Sequence, residues 1–429
     1  MFRFLKDISG EHFVEHHKYP EGEDISNLEI DIPPYILFLN KDKCKCFEVK
    51  KTGDKTFLQT SYYIGVDWIV ENNLAIFIQP KLNVNNSQID YLKMLFQALK
   101  HSEVTSHTKD LYEIKFGKPD IEIDQKLDLL TPLLVVHFLS IVKEIVRKGL
   151  KKSYYSVAHN LHGKIKGKVL VGQTIKKNLL RNKPLNTVCQ YDEFGFNSLE
   201  NRLLKKALLF IQRYLPSIKN INTEEFTTDT FNYILPAFEN VSGEINLNEI
   251  KHSKINVFYK EYFDAVHLAK LILKRFGYNI SSLDEQQKIK TPPFWIDMSK
   301  LFELYVLGML KDRYREAILY GEGEANGNYG LPDYLLVKSG AEMVIDAKYK
   351  PFYQRGNYDI ENIRQLSGYA RDKGVITKLK ISDYTVPDCL IIYPDQSVER
   401  MNLNEVNLKA DTIDQFTHFY KVAVRLPVI

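Results

Sequence analysis

The period of apolar and polar positions changes several times along this chain. In the first 125 or so residues the apolar runs are short: Ile36-Leu37-Phe38-Leu39 and Leu74-Ala75-Ile76-Phe77-Ile78 read as strands. Asn72-Asn73, just before the second run, suits a hairpin turn because Asn tolerates positive φ. From Ser87 to Lys100 the period becomes helical, with Ile89, Leu92, Leu95, Phe96 and Leu99 on one face. The run Leu129 to Val142 holds Pro132 and His137 and is too short to span a bilayer, so it predicts a buried helix. Leu199, Leu203, Leu204, Ala207, Leu208 and Ile211 form a helical stripe, and a further helix is predicted from about Val257 to Phe276. Lys288-Ile289-Lys290-Thr291-Pro292-Pro293 reads as a linker whose prolines stop the preceding helix. Beyond it the pattern predicts a helix over Asp297–Tyr314 and a short strand over Ala317–Tyr320. Two strands, Leu331–Val337 and Met343–Tyr349, then turn at Ser339-Gly340, and a helix follows Asn362.

This order predicts an α+β multidomain protein. Residues 1–128 form an α+β domain, 129–290 a mostly helical middle region, and 291–429 an α/β domain with a mixed sheet. A length of 429 residues gives each part enough chain to bury its own core.

Composition adds little until it is resolved along the chain. The formal net charge is +4, yet between Lys143 and Lys183 twelve basic residues face the single acid Glu144. A solvated helical face is one reading of that run. Tyr154, Tyr155, His159 and His162 are interleaved with it, and Gly163, Gly167 and Gly172 would let backbone approach a partner, so contact with nucleic-acid phosphate is the other reading. The four cysteines, Cys44, Cys46, Cys189 and Cys389, match no zinc-ligand spacing and read as reduced thiols of a cytosolic protein. Nothing near the N-terminus has the apolar core of an export signal, and no membrane association is expected.

The chemistry-bearing residues cluster after the Pro-Pro break. Successive strand side chains alternate faces, so Asp346 and Lys348 project to the same side as Val344. A hairpin centred near Ser339-Gly340 pairs residues whose numbers sum to about 679, which puts Asp333 opposite Asp346. Two carboxylates about 5 Å apart repel unless a cation lies between them, and a hard divalent ion, Mg²⁺, fits oxygen ligands. Lys348 beside such an ion suits phosphodiester hydrolysis. Gln365 and Tyr369 share a helix face and are available to brace the site or touch the phosphate.

Pro332-Asp333 followed by Asp346-Ala347-Lys348 resembles the PD-(D/E)xK nuclease signature. The surrounding words, Phe302-Glu303-x-Tyr305-Val306, Leu331-Pro332-Asp333-Tyr334, Ile345-Asp346-Ala347-Lys348-Tyr349-Lys350 and Gln365-x-x-x-Tyr369-Ala370, resemble McrC, the nuclease subunit of McrBC modification-dependent restriction systems. Weaker likeness extends through Ile78-Gln79-Pro80-Lys81-Leu82, Gly163-Lys164-Ile165-Lys166-Gly167-Lys168 and Phe196-Asn197-x-x-x-Asn201. The resemblance implies a C-terminal restriction-endonuclease-like domain that cuts double-stranded DNA containing modified cytosine. It implies Asp333, Asp346 and Ala347 at the Mg²⁺ site, Lys348 as catalytic lysine, and Glu303 and Gln365 as accessory residues. Nucleic-acid contacts fall to Lys164, Lys166, Lys168 and Tyr369. It also implies an N-terminal partner-interaction domain and an McrB-like AAA+ GTPase hexamer as partner, through which alone GTP would enter. Gly163 to Val169 lacks the residue count and the Ser/Thr of a phosphate-binding loop. A non-enzymatic clamp on the motor and a stand-alone repair nuclease are the alternatives.

Overall fold

The computed structural model describes residues 2–7, 10–19, 35–39, 44–52, 55–80, 89–101, 104, 107–108, 111–124, 127–214, 224–245, 260–279, 288–321, 331–350, 358–399, 402–404 and 406–428. The architecture is mixed α/β with several sheets. It divides into two compact units, Met1–Leu133 with Gln287–Ile429, and Leu134–Gln286. The three sequence segments, 1–128, 129–290 and 291–429, are thus distributed over two units, the first and last lying together in one of them.

In the first unit the strands Tyr63–Val70 and Leu74–Gln79 form a hairpin whose turn holds Asn72 at φ 59°, as the Asn pair predicts. Phe294–Asp297 runs antiparallel between Tyr63–Val70 and Tyr112–Ile114, so residues just past the Pro-Pro pair complete the N-terminal sheet. The supposed linker is also a strand: Lys288–Thr291 pairs antiparallel with Ile121–Asp124. Its alternation, Lys-Ile-Lys-Thr, suits an extended edge, and the prolines begin only where pairing stops. Gly65 is required here, because with φ at 149° a Cβ would collide with the Phe294 carbonyl oxygen.

A buried carboxylate ties this sheet together. Asp67, fully inaccessible, accepts the Trp295 indole N–H at 3.0 Å and ion-pairs with Lys115 at 2.6 Å and Lys118 at 3.2 Å. Trp295 is itself fully buried, so the interaction anchors the incoming strand inside the sheet. At the strand's end Asp297 caps the helix Met298–Tyr314, accepting from Lys300 N at 2.9 Å. That helix is buried on most of its circumference, from Met298 to Lys311.

The C-terminal sheet has the order Ile318–Tyr320, Tyr334–Leu336, Met343–Ala347, Asp388–Pro394, Phe419–Val424. The first three strands are antiparallel and the last three parallel, a mixed sheet. The helices Ile360–Tyr369 and Lys373–Leu379 make the crossover to the parallel part. Ile363, Leu366, Val375 and Leu379 pack on Leu335, Val344 and Ile391.

In the second unit the helices Leu130–Lys148, Leu199–Tyr214 and Lys260–Asn279 form where the period predicts them. His137 is buried in the first of these, and burial pushes its imidazole down to about 4. The expectation of a mostly helical region misses a sheet. Ser153–His162 and Asn186–Gly195 form a ten-residue antiparallel pair, with Lys168–Val169 added to the second strand. Asn201, fully buried, fixes the base of this hairpin by donating to the carbonyls of Lys151 at 3.0 Å and Phe196 at 2.7 Å and accepting from the Tyr262 hydroxyl at 2.8 Å. Among the described residues no helix is long and apolar enough to cross a membrane.

Asp67→Ala is expected to lower the unfolding free energy by about 3–5 kcal/mol by stranding two lysines, and Trp295→Phe by about 1–3 kcal/mol. Urea unfolding monitored by circular dichroism measures both; losses under about 0.5 kcal/mol, the range of an ordinary surface change, would remove Asp67 as the anchor.

Candidate functional site

The hairpin register follows the arithmetic of the sequence. Tyr334 pairs with Ile345, Leu335 with Val344 and Leu336 with Met343, each pair summing to 679. The ladder ends one residue short of Asp333, and continuing the same register sets Asp333 against Asp346. The turn is tight because Gly340 adopts φ 78°.

Asp333 lies at the mouth of the hairpin and accepts the Ala347 backbone N–H at 2.8 Å. Burial first, then the Asp346 carboxylate and Glu303, push its carboxyl well above the ordinary range, while the Ala347 bond pulls the other way. Asp346 is buried, and its Oδ2 lies 2.5 Å from Lys348 Nζ in an ion pair while accepting no hydrogen bond of good geometry. Burial is the largest single influence and disfavours the Lys348 ammonium, but the charge and hydrogen bond of Asp346, with Asp333 and Tyr369, together outweigh it and hold the lysine above its ordinary range. Lys348 Nζ also reaches Gln365 Oε1 at 3.4 Å, and Gln365 Nε2 donates to the Tyr369 hydroxyl at 2.7 Å. The tyrosine ring is buried in the sheet–helix core, so Tyr369 braces Gln365 rather than offering a ring face to a nucleic acid.

Asp333, Asp346, Ala347, Lys348, Gln365 and Tyr369 are therefore brought together, but Glu303 is engaged elsewhere. Its carboxylate accepts from Tyr320 at 2.8 Å and meets Lys300 Nζ at 3.2 Å, and its carbonyl accepts from Tyr334 at 2.6 Å. Tyr320 and Tyr334 are a cross-strand pair, so they share the face that looks to the helix Met298–Tyr314. Leu335 and Val344 belong to the other face, toward Ile360–Tyr369, while Asp333 stays near enough to Glu303 for that charge to bear on its carboxyl. Among the described residues no group of three or more His, Cys, Asp or Glu side chains is placed to hold a metal ion.

Several contacts were not legible in the sequence. Tyr349, next to Lys348, donates to the buried Glu15 at 2.9 Å and lies 5.6 Å, centroid to centroid, from Phe302 beside Glu303. Only the fold joins residues so distant in the chain; the Lys300–Glu303 pair, by contrast, is a helical i,i+3 spacing open to inspection. Near the N-terminus His16 stacks on Tyr62 with ring centroids 4.2 Å apart, and His12 meets Phe4 and Phe77 edge-on. Cys46, Cys189 and Cys389 are buried and form no disulfide. The glycine-rich loop over 322–330 lies outside the described residues.

Lys164 and Lys166 are exposed on the connection between the outer strands of the three-stranded sheet and Lys168 on the short outer strand itself, all remote in sequence from the acid pair. Lys166 Nζ stands 4.0 Å over the Tyr191 ring. Gly167 approaches Gln190 and Tyr191 so closely that a Cβ would strike them; its smallness serves this internal contact rather than approach to a partner.

Among curated proteins nothing matches the chain. Two solved structures from Thermococcus gammatolerans are similar. A half-complex from a tetradecameric assembly of McrB AAA+ hexamers with bound McrC matches at 16% identity, covering 88% of this chain and 80% of that one, with TM-score 0.35. The McrBC complex matches at 15% identity, covering 70% of this chain and 86% of that one, with TM-score 0.29. A family model described as McrBC 5-methylcytosine restriction system component matches residues 58–372. These findings correct the narrower resemblance. The family model matches at the level of the McrBC 5-methylcytosine restriction system and singles out no nuclease subunit. The Mg²⁺-dependent PD-(D/E)xK endonuclease reading falls with it, because the three-acid cluster it calls for is not assembled among the described residues. The family match spans well over half of the sequence: the chain belongs to the McrBC family of 5-methylcytosine restriction system components.

Proposed function

We propose that this chain works within an McrBC-type restriction assembly as a component that binds a divalent cation between Asp333 and Asp346 and contacts nucleic-acid phosphate through the lysines of its hairpin. The observation that carries the cation site is the buried Asp346 oxygen with no well-formed hydrogen bond, set opposite a second carboxylate and balanced by only one lysine. Mg²⁺ suits such a place, since it takes one or two carboxylates and keeps waters for its remaining positions. Asp333, Asp346 and groups around Ala347 would hold the ion, and Lys348, steadied by Gln365, would share a phosphate oxygen with it. Association with an McrB-type partner is supported by the family to which the chain belongs.

Titration calorimetry of the full chain with Mg²⁺ or Mn²⁺ is expected to show one saturable site, weakened at least about tenfold, or about 1.4 kcal/mol, by Asp346→Asn or Asp333→Asn. In a chelating buffer Asp333→Asn is expected to stabilise the fold, by about 1.4 kcal/mol for each pKa unit by which burial and the neighbouring acids raise the carboxyl. Absence of saturable heat, or affinity unchanged in both variants, contradicts the cation site.

Phosphate contact is tested separately. Replacing Lys164, Lys166 and Lys168 together by Gln is expected to weaken DNA binding and to reduce the slope of log affinity against log salt by roughly 2–3. An unchanged slope contradicts the assignment.

A further inference from the structure

The hairpin of the second unit carries more than charge. In its register Tyr154 lies opposite Phe194, Ser156 opposite Asp192 and Ala158 opposite Gln190, and Lys168 on the third strand is opposite Gln190. Opposed residues share a face, so one side of the sheet presents Tyr154, Phe194 and Lys168 together. Tyr154 is 75% exposed and Phe194 60%, with ring centroids 5.1 Å apart. Phe196, two residues on, is 37% exposed and lies under Lys152, whose Nζ stands 4.8 Å from the ring centroid. Three solvent-facing aromatic rings thus line one face, with a lysine at either end.

Exposing such rings costs hydration free energy that this unit recovers nowhere in its own core. From Lys151 to Tyr191 the chain contains nine basic residues and no acid; Asp192 is the acid on this face. A partner of opposite charge that also offers flat apolar surfaces meets both conditions. Duplex DNA offers phosphates but keeps its bases stacked inside, whereas an unpaired strand offers both together. Phe194 and Phe196, alternate residues of the chain, stand roughly 6–7 Å apart, while Tyr154 packs on Phe194 across the strands, so the rings form a stepped surface for splayed bases.

We propose that the face formed by Tyr154, Phe194 and Phe196, flanked by Lys152 and Lys168, is a stacking platform for unpaired bases of a nucleic-acid strand. This deepens the phosphate-contact reading above and rests on it for the electrostatic part, while the rings supply strand selectivity.

The test is fluorescence anisotropy of the full chain with a labelled single-stranded oligonucleotide and with its duplex. The wild type is expected to bind the single strand at least about tenfold more tightly. Tyr154→Ala with Phe194→Ala is expected to lower single-strand affinity at least about tenfold, leaving duplex affinity and salt slope unchanged. The swapped pair, Tyr154→Phe with Phe194→Tyr, is expected to retain the preference, and matching circular dichroism spectra show that the fold is kept. Equal binding of the two oligonucleotides by the wild type, or single-strand affinity unchanged in the alanine pair, overturns the platform. If the triple lysine variant weakens both ligands while the alanine pair changes neither, the platform alone fails. If neither oligonucleotide binds at all, the phosphate reading fails with it.

Discussion

Two carboxylates brought side by side by a hairpin repel, and that repulsion, together with their burial, is the constraint on which the candidate site depends. A tight turn fixes the register that brings Asp333 and Asp346 together, and neither strand can slip without turning its core side chains to the wrong face. Burial raises the cost of holding both charges, and Lys348 cancels only one of them. The neighbouring groups hold the lysine in place: Gln365 accepts from it, Tyr369 supports Gln365, and Tyr349 is hydrogen-bonded to Glu15 in the core. Under the proposed reading, a cation between the two carboxylates would supply the positive charge that Lys348 alone does not.

The same unit depends on a second buried charge used in the opposite way. Asp67 is fully compensated by two lysines and an indole N–H, so it locks rather than waits. Through Trp295 it fixes the strand Phe294–Asp297, and Asp297 then starts the helix that carries Glu303. Glu303 is satisfied by Tyr320 and Lys300 on its own face of the sheet. A linear motif containing all three acids suggests one shared site, whereas in the fold Glu303 is taken up by Tyr320 and Lys300, and among the described residues no three acids are placed to hold a metal ion.

Local patterns were readable where they were self-contained. The Asn72 turn, the helix from Met298, the short strand before Gly321 and the 679 register all follow from neighbouring residues. Long-range pairings were not. Lys288–Thr291 reads as a linker because its partner, Ile121–Asp124, lies far upstream, and four alternating residues declare little without it. The hairpin strands of the second unit escape for another reason: one face is only half buried and the other exposed, so polar and apolar residues mix on both faces and no strict alternation marks the strands. The short acid-x-lysine motif resembles more than one role, and the subunit reading built on it went further than the family match supports.

Anomalous diffraction from crystals grown with Mn²⁺ decides whether Asp333 and Asp346 share a cation. A shared cation gives an anomalous peak between the two carboxylates, within about 2.6 Å of an oxygen of each, and the peak is lost in Asp346→Asn. Crystals that show Mn²⁺ elsewhere, or none, with Asp346 still paired only to Lys348, would contradict it.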